Sequence, residues 1–222
     1  GFAAGIGCGV FFLNRGYTLK RTYAMSKLDG SLMSVASLVV LVLLVIAPPF
    51  ILFSQTGAGP GALHAPIIAS LIAGLLVGLL AQRTRFCMVG GIRDLILFKE
   101  WKLFLGFIAV IVSALVMNLI TGNFALGFEG QPIAHTDGLW NFLGMLTVGF
   151  GSTLLGGCPL RQLILTGEGN TDSSVTVLGL FAGAAFAHNF GLASSAKGPT
   201  SAGMIAVLIG LAVMLTIALI NS

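Results

Sequence analysis

Charged residues are scarce in this sequence of 222 residues: they make up 8% of the chain, while hydrophobic residues make up 56%. A soluble domain carries about 25% charged residues, because polar groups must cover its water-exposed surface. The 11 basic and 7 acidic residues are too few for that, so the composition excludes a water-soluble globular domain. The net charge of +4 comes from small clusters, and it does not predict a nucleic-acid partner.

Cysteine is also rare, with three residues that lie far apart in apolar surroundings. An odd and widely spaced set does not form the disulfide framework of a small secreted domain. Neither a CxxC nor an HxxxH spacing occurs, and we therefore predict no metal site and no cofactor. An initiator methionine and a signal peptide are lacking as well, so we expect an N-terminal part of the full protein to precede residue 1.

Long stretches without Asp, Glu, Lys or Arg dominate the chain. A helix of about 20 residues spans the ~30 Å hydrocarbon layer of a bilayer, and a chain in lipid must form helices or a closed barrel. We therefore predict one all-α, polytopic membrane domain over residues 1–222. The six predicted spanning stretches are residues 31–53, 65–81, 103–121, 139–155, 175–193 and 202–220, and a seventh, incomplete stretch covers residues 1–13.

The basic residues are unevenly distributed among the connections between these stretches. Ten of the 11 lie in the first, third and fifth connections, and Lys197 alone lies in the sixth. By the positive-inside rule, the first, third and fifth connections and the C-terminus are cytoplasmic. The connections 54–64 and 122–138 then face outward. We predict a multi-pass protein of the bacterial inner membrane.

All three cysteines have glycine neighbours, as in Gly7-Cys8-Gly9 and the stretches 86–91 (FCMVGG) and 156–161 (GGCPLR). Two of them begin apolar segments, residues 87–98 and 158–166, that are too short to cross a membrane. Pro159 suits the first position of a helix, where its missing N–H costs nothing, so we predict that Cys158 caps a half-helix. The free N–H groups at such a helix start attract an anion.

Neutral thiols are weak donors with a polarisable sulfur, which suits an anion that itself carries sulfur or selenium. Arg161 follows Cys158 by about one helical turn and could attract this anion, although a side chain that simply reaches the membrane surface explains Arg161 equally well. The predicted substrate pathway comprises Cys8, Cys87, Cys158, Arg161, Gly157, Gly90 and Gly91.

Two further patterns concern the architecture. The strings RDLIL at 93–97 and RQLIL at 161–165 each follow a cysteine, which predicts an internal repeat with broken helices, a feature typical of transporters. Gly74 and Gly78 form a GxxxG pair that predicts close helix packing. His188 and Asn189 lie in a predicted spanning helix, where we expect a helix-to-helix hydrogen bond.

The segments 156–162 (GGCPLRQ) and 83–91 (RTRFCMVGG) resemble the YeeE/YedE membrane family, the thiosulfate-uptake transporters and their relatives. Residues 167–172 (GEGNTD) and 187–191 (AHNFG) are most similar to the branch associated with selenium metabolism. The resemblance implies that the thiols of Cys8, Cys87 and Cys158 relay the anion through S–H hydrogen bonds. It also implies a cytoplasmic TusA-like sulfur-carrier protein as a partner.

The leading hypothesis is a non-enzymatic permease that imports a small sulfur- or selenium-containing anion through a pathway of cysteine thiols in the lipid bilayer. One alternative is a membrane thiol or sulfur-transfer oxidoreductase, which would need two cysteines with Cα atoms about 4.4–6.8 Å apart. Another is a non-transporting scaffold for a cytoplasmic sulfur carrier. The sequence alone leaves thiosulfate and a selenium species open as substrates.

Overall fold

The computed structural model describes residues 1–18, 26–46, 65–127, 135–195 and 197–222. Within these ranges the regular structure is helical, as predicted, apart from an isolated bridge between Ser195 and Gly198. The helices are α1 (Phe2–Asn14), α2 (Lys27–Ile46), α3 (Ile67–Thr84), α4 (Met88–Phe98), α5 (Lys102–Ile120), α6 (Gly138–Leu154), α7 (Pro159–Gly167), α8 (Thr171–Asn189) and α9 (Ser201–Ile220).

Four helical segments in the described ranges are long and apolar enough to cross a membrane: Ile67–Phe98, Lys102–Ile120, Gly138–Gly167 and Ser201–Ile220. They correspond to four of the six predicted stretches, so the chain is a multi-pass membrane protein. The stretch 31–53 forms α2 as far as Ile46, and its remainder lies outside the described residues. The stretch 175–193 forms most of α8, whose two ends are polar, and α8 is not among the four.

Several other predictions fall on residues outside the described ranges. These include the whole outward connection 54–64 and the central part, 128–134, of the connection 122–138. The basic residues Lys20 and Arg21 of the first connection also lie there.

Two of the four membrane segments are broken in the middle. The segment Ile67–Phe98 is interrupted between α3 and α4, and Gly138–Gly167 is interrupted between α6 and α7. At the second break, Gly156 adopts a left-handed backbone conformation with φ +79°, which only glycine adopts without strain. Each broken segment is followed by a longer helix, α5 or α8, so the two regions share one order of elements.

Helix α1 packs closely along α6, and the two helices run in the same direction. A Cβ atom added at Gly1 would meet Phe142, and one added at Gly9 would meet Thr153, further along α6. Between them, a Cβ at Gly5 would meet the carbonyl oxygen of Leu146. The glycines at every fourth position of α1 therefore let the two backbones approach closely.

Helix α9 lies on α6 in the same direction. Gly210 faces the methyl group of Thr147, and the sulfur of Met214 contacts Gly151 one turn further along. Ala218, near the end of α9, is fully buried in a cluster with Leu154. The three helices α1, α6 and α9 are thus parallel, and their C-terminal ends lie at one end of the bundle. This agrees with the predicted placement of the first and fifth connections and the C-terminus on one side.

A buried tyrosine links α1 to α6 at the end of the bundle where both helices finish. The hydroxyl of Tyr17, just after α1, donates a hydrogen bond of 3.3 Å to the carbonyl oxygen of Leu154 at the end of α6. Burial raises the pKa of Tyr17, because the charged phenolate is poorly solvated there. The phenol therefore stays a hydrogen-bond donor.

Two expectations about helix contacts need correction. A Cβ atom at Gly74 or Gly78 would meet nothing within 4 Å, so in the described structure this GxxxG pair packs against no neighbouring helix. The close contact is made instead by the glycines of α1. Asn189 donates to the carbonyl oxygen of Ala185 in its own helix, because its side chain folds back along α8, and His188 is exposed.

Candidate functional site

Cys87 and Cys158 are the N-cap residues of the two half-helices α4 and α7. The prediction that Cys158 precedes a helix with Pro159 at its first position is confirmed. Both cysteines have extended backbones, with φ and ψ of −153° and 116° at Cys87 and of −68° and 163° at Cys158. Both are reduced and buried, with exposed fractions of 5% and 0%.

The sulfur of Cys87 lies where the two half-helices meet. The N–H of Gly90, in the first turn of α4, donates to it over 3.2 Å. The N–H of Cys158, at the start of α7, donates to the same sulfur over 3.4 Å. Cys87 therefore links two helix starts that lie 71 positions apart in the sequence.

The sulfur of Cys158 is fully buried in the same cluster as Cys87. The backbone N–H groups of Met88, Leu160 and Arg161 lie near this sulfur, although none of them donates a capping hydrogen bond to it. These N–H groups belong to the first turns of both half-helices, whose positive dipole ends therefore point at one place. Such a place can stabilise a negative charge without a basic side chain.

Apolar side chains of α1 and α4 close over the cysteine pair. Ile6 and Val10 of α1, exposed by 0% and 4%, and Val89 of α4 form a buried cluster with both cysteines. The glycine contact between α1 and α6 holds this cover in place. In the described structure both cysteines are therefore buried beneath apolar side chains.

Cys8 is placed differently from the other two cysteines. It lies on α1 between Ile6 and Val10 but is exposed. Its glycine neighbours predict the same setting as that of Cys87 and Cys158, yet here Gly9 serves the contact with α6. The structure thus brings two of the three predicted cysteines together and leaves Cys8 on the surface of the described chain.

The three glycines of the predicted pathway, Gly90, Gly91 and Gly157, have different structural roles. Gly90 supplies the N–H that bonds Cys87. A Cβ at Gly91 would come within 3.1 Å of the backbone of Leu103 and Phe104, so Gly91 permits close packing of α4 on α5. A Cβ at Gly157 would lie 3.2 Å from the Arg161 side chain, so Gly157 leaves room for it.

Arg161 lies in the first turn of α7, with a side chain that is 17% exposed. One guanidinium nitrogen, Nη2, lies 3.8 Å from a carboxylate oxygen of Glu168, at the other end of α7. The other, Nη1, is buried and has no hydrogen-bond partner among the described residues. Arg161 therefore brings an incompletely paired positive charge to the half-helix that carries Cys158.

Gln162 is a buried polar residue that the sequence reasoning missed. Its exposed fraction is 4%, and its side-chain amide donates to the carbonyl oxygen of Leu155 over 3.0 Å. Leu155 is the C-cap residue of α6, so this bond bridges the break between α6 and α7. The signal available in the sequence was an amide side chain beside Arg161 inside an otherwise apolar segment.

A separate cavity of about 220 Å³ lies near the N-terminal ends of α6 and α9. Its walls include Trp140, Asn141, Gly144 and Met204. Cys158 follows the opposite end of α6, so this cavity is not part of the cysteine site. Among the described residues, no three His, Cys, Asp or Glu side chains lie close enough to hold a metal ion.

Residues 83–221, more than half of the chain, match the sequence model of a family described as sulphur transport. The chain belongs to the YeeE/YedE sulphur transport family. The matched range of this family member contains Cys87, Cys158 and Arg161, while Cys8 and α1 precede it. Comparison with curated proteins and with solved structures yields no match. Membership supports a sulfur-related transport role for a multi-pass membrane protein.

Proposed function

We propose that this member of the sulphur transport family is a permease for a small sulfur- or selenium-containing anion, and that the anion passes the pair Cys87 and Cys158. The observation that carries the proposal is the meeting of two half-helix starts at two reduced thiols, which the bond from the Cys158 N–H to the Cys87 sulfur documents. An anion in a bilayer must exchange its hydration for other donors. The N–H groups of α4 and α7 and the two thiols provide them.

The covered state of the pair corresponds to a closed state of the transporter. Ile6 and Val10 must move aside before an anion reaches the sulfurs, and α1 is the element that carries both. Cys8 lies on this same helix, and we assign it to the approach to the pair. Arg161, with its free Nη1, attracts the anion on the side of α7 that carries Glu168.

The finer features of the architecture belong to this proposal. The shared order of elements in α3–α4–α5 and α6–α7–α8 supports an internal repeat, and broken helices in repeated halves are typical of a transporter's central site. The proposal includes six membrane crossings, a cytoplasmic C-terminus in a bacterial inner membrane and a TusA-like carrier that receives the sulfur. Thiosulfate is the first substrate to test, with selenite as the selenium alternative.

Uptake into proteoliposomes tests the proposal. Purified protein is reconstituted, and uptake of labelled thiosulfate is compared between the wild type and the substitutions Cys158→Ala and Cys158→Ser. Alanine removes the side-chain donor, and serine restores one of similar size. We expect uptake to be lost in the first variant and partly retained in the second. Gly183→Ala is the matched control, because a Cβ at Gly183 would meet nothing within 4 Å.

Wild-type uptake that is absent, or uptake unchanged in Cys158→Ala and in the corresponding Cys87→Ala variant, contradicts the relay. Absent uptake together with binding of a sulfur-carrier protein favours the scaffold hypothesis instead.

A second candidate function, thiol or sulfur transfer, gains support from the shared burial of Cys87 and Cys158 at two adjoining helix starts. Covalent exchange needs an attacking and a resolving cysteine close together, and the Cys87 sulfur lies 3.4 Å from the backbone nitrogen of Cys158. A persulfide or mixed disulfide trapped on either cysteine during turnover, and detected by mass spectrometry, favours transfer. Uptake of intact, doubly labelled thiosulfate with unmodified cysteines favours the permease.

A further inference from the structure

Cys87 and Cys158 are free cysteines that lie in one buried cluster where two half-helices start, and such a pair can be oxidised. We propose that Cys87 and Cys158 form a reversible disulfide that closes the transporter. The closing effect rests on the proposed function, whereas the disulfide itself rests only on the geometry of the pair.

The geometry favours a disulfide between Cys87 and Cys158, because the backbone holds each cysteine at the start of a helix. Each one is an N-cap with an extended backbone, and the Cys87 sulfur lies 3.4 Å from the backbone nitrogen of Cys158. The sulfur–sulfur bond of a disulfide is about 2.0 Å long, and the Cys87 sulfur is already held at the start of the helix that Cys158 caps. The bond would join α4 to α7 across 71 positions of the sequence.

The geometry also selects one pairing among the three that are possible. Cys8 is exposed on α1 and does not belong to the buried cluster that contains Cys87 and Cys158. Oxidation is therefore expected to leave Cys8 as a free thiol. Oxidation that spares Cys8 would show that the fold specifies the pairing, because random oxidation of three cysteines would give a mixture of disulfides.

A polythionate, an oxidised sulfur anion with a central sulfur–sulfur bond, is the class of oxidant that suits the site. The first cysteine loses its proton, attacks one central sulfur and releases one thiosulfate, which leaves a sulfonated mixed disulfide. The second cysteine loses its proton, attacks the sulfur of the first and releases a second thiosulfate. Two thiols and one tetrathionate thus give one disulfide, two thiosulfates and two protons, and the thiols supply both electrons.

The disulfide closes the route for two reasons. A disulfide sulfur carries no hydrogen, so the site loses both S–H donors. The covalent link also holds the starts of α4 and α7 together, so they cannot separate to let an anion pass between them. A reductant restores both thiols and with them the open route.

Thiol counting in proteoliposomes tests the inference. The vesicles are treated with tetrathionate or with diamide, a neutral oxidant that needs no anion pathway, and the protein is then denatured and labelled with N-ethylmaleimide. We expect three labels on the untreated protein and one on the oxidised protein, located on Cys8 by peptide mapping. Thiosulfate uptake is expected to fall by about tenfold or more on oxidation and to return with dithiothreitol, since restored thiols again donate S–H bonds.

The substitution Cys8→Ser serves as the matched control. This variant is expected to take two labels when reduced and none when oxidised, because it retains the pair. Peptide mapping of the wild type, which needs no variant at either paired cysteine, must show the crosslink between Cys87 and Cys158. Three labels after diamide treatment, or a crosslink that contains Cys8, overturns the inference.

The experiment separates this inference from the proposed function. If the disulfide forms but the protein shows no uptake, the disulfide inference stands and the permease function is contradicted. If the protein shows uptake but no disulfide forms with either oxidant, the disulfide inference is contradicted and the permease function stands. A disulfide that forms without any change in uptake overturns the closing effect.

Discussion

The backbone N–H of Cys158 donates a hydrogen bond of 3.4 Å to the sulfur of Cys87, although 71 positions separate the two residues. Each residue caps a half-helix, so one bond joins the starts of α4 and α7. Two positive helix ends repel one another across such a short distance. The arrangement is therefore most stable when something negative or polarisable lies between the ends, and the two sulfurs fill that place.

The first prediction concerns the glycine contact of α1. Gly5→Ala adds a Cβ that meets the carbonyl oxygen of Leu146 and the backbone of Phe150, so α1 must move away from α6. We expect the free energy of unfolding in detergent to fall by about 1–3 kcal/mol, the usual cost of overpacking. Gly7→Ala is the control on the same helix, since a Cβ there meets nothing within 4 Å. Equal stability of the two variants would contradict the close packing.

The second prediction concerns the break between α6 and α7. Gly156 has a φ of +79°, and a Cβ in this left-handed region costs about 1–2 kcal/mol. Gly156→Ala should therefore lower the unfolding free energy by about this amount. Gly156→Asn should recover part of the loss, because asparagine tolerates this conformation better. Thermal unfolding of both variants checks the order, and an alanine variant as stable as the wild type disproves the strained turn.

The third prediction concerns the charge beside the cysteine site. If Arg161 attracts the anion, Arg161→Gln should raise KM for thiosulfate uptake by about two- to fivefold, the range expected for a partly screened charge. Glu168→Gln should lower KM, because it removes the carboxylate that lies 3.8 Å from the Arg161 guanidinium. Concentration-dependent uptake at two salt concentrations measures both effects. A KM that changes in the same direction in both variants excludes this role.

The fourth prediction concerns the apolar cover of the cysteine pair. Ile6 is fully buried against the pair, and Ile6→Val removes one methylene at a cost of about 0.5–1.5 kcal/mol. Opening of the cover becomes easier by the same amount, so labelling of Cys158 by a small maleimide in the folded protein should accelerate by about two- to tenfold. Phe11→Ala, on the exposed side of α1, is the control and should leave the labelling rate unchanged.

The sequence predicted those parts of the structure that depend on neighbouring residues. The N-cap at Cys158 follows from Pro159 beside it, and the short helices after both cysteines follow from apolar segments of limited length. The contact between Cys87 and Cys158 depends on how α4 and α7 fold back on the bundle. No local pattern encodes that, because the two segments are far apart in the chain.

The glycines also show that a local sequence pattern does not determine which helices come into contact. Gly1, Gly5 and Gly9 carry the same four-residue spacing as Gly74 and Gly78, and only the first set forms a helix contact in the described structure. The spacing indicates that close approach is sterically allowed. Whether a partner helix comes near depends on the rest of the fold, and for the same reason the glycine neighbours of Cys8 did not predict its exposure.

The parallel course of α6 and α9 has a consequence for how the chain is threaded. A helix that ends at one end of the bundle can be followed by a parallel neighbour only after the chain has returned to the opposite end. Helix α7 has 9 residues and rises about 14 Å, which is too short for the return, whereas α8 has 19 residues. Helix α8 therefore carries the chain back to the end where α6 begins, and this return lets α9 run beside α6 so that Ala218 reaches Leu154.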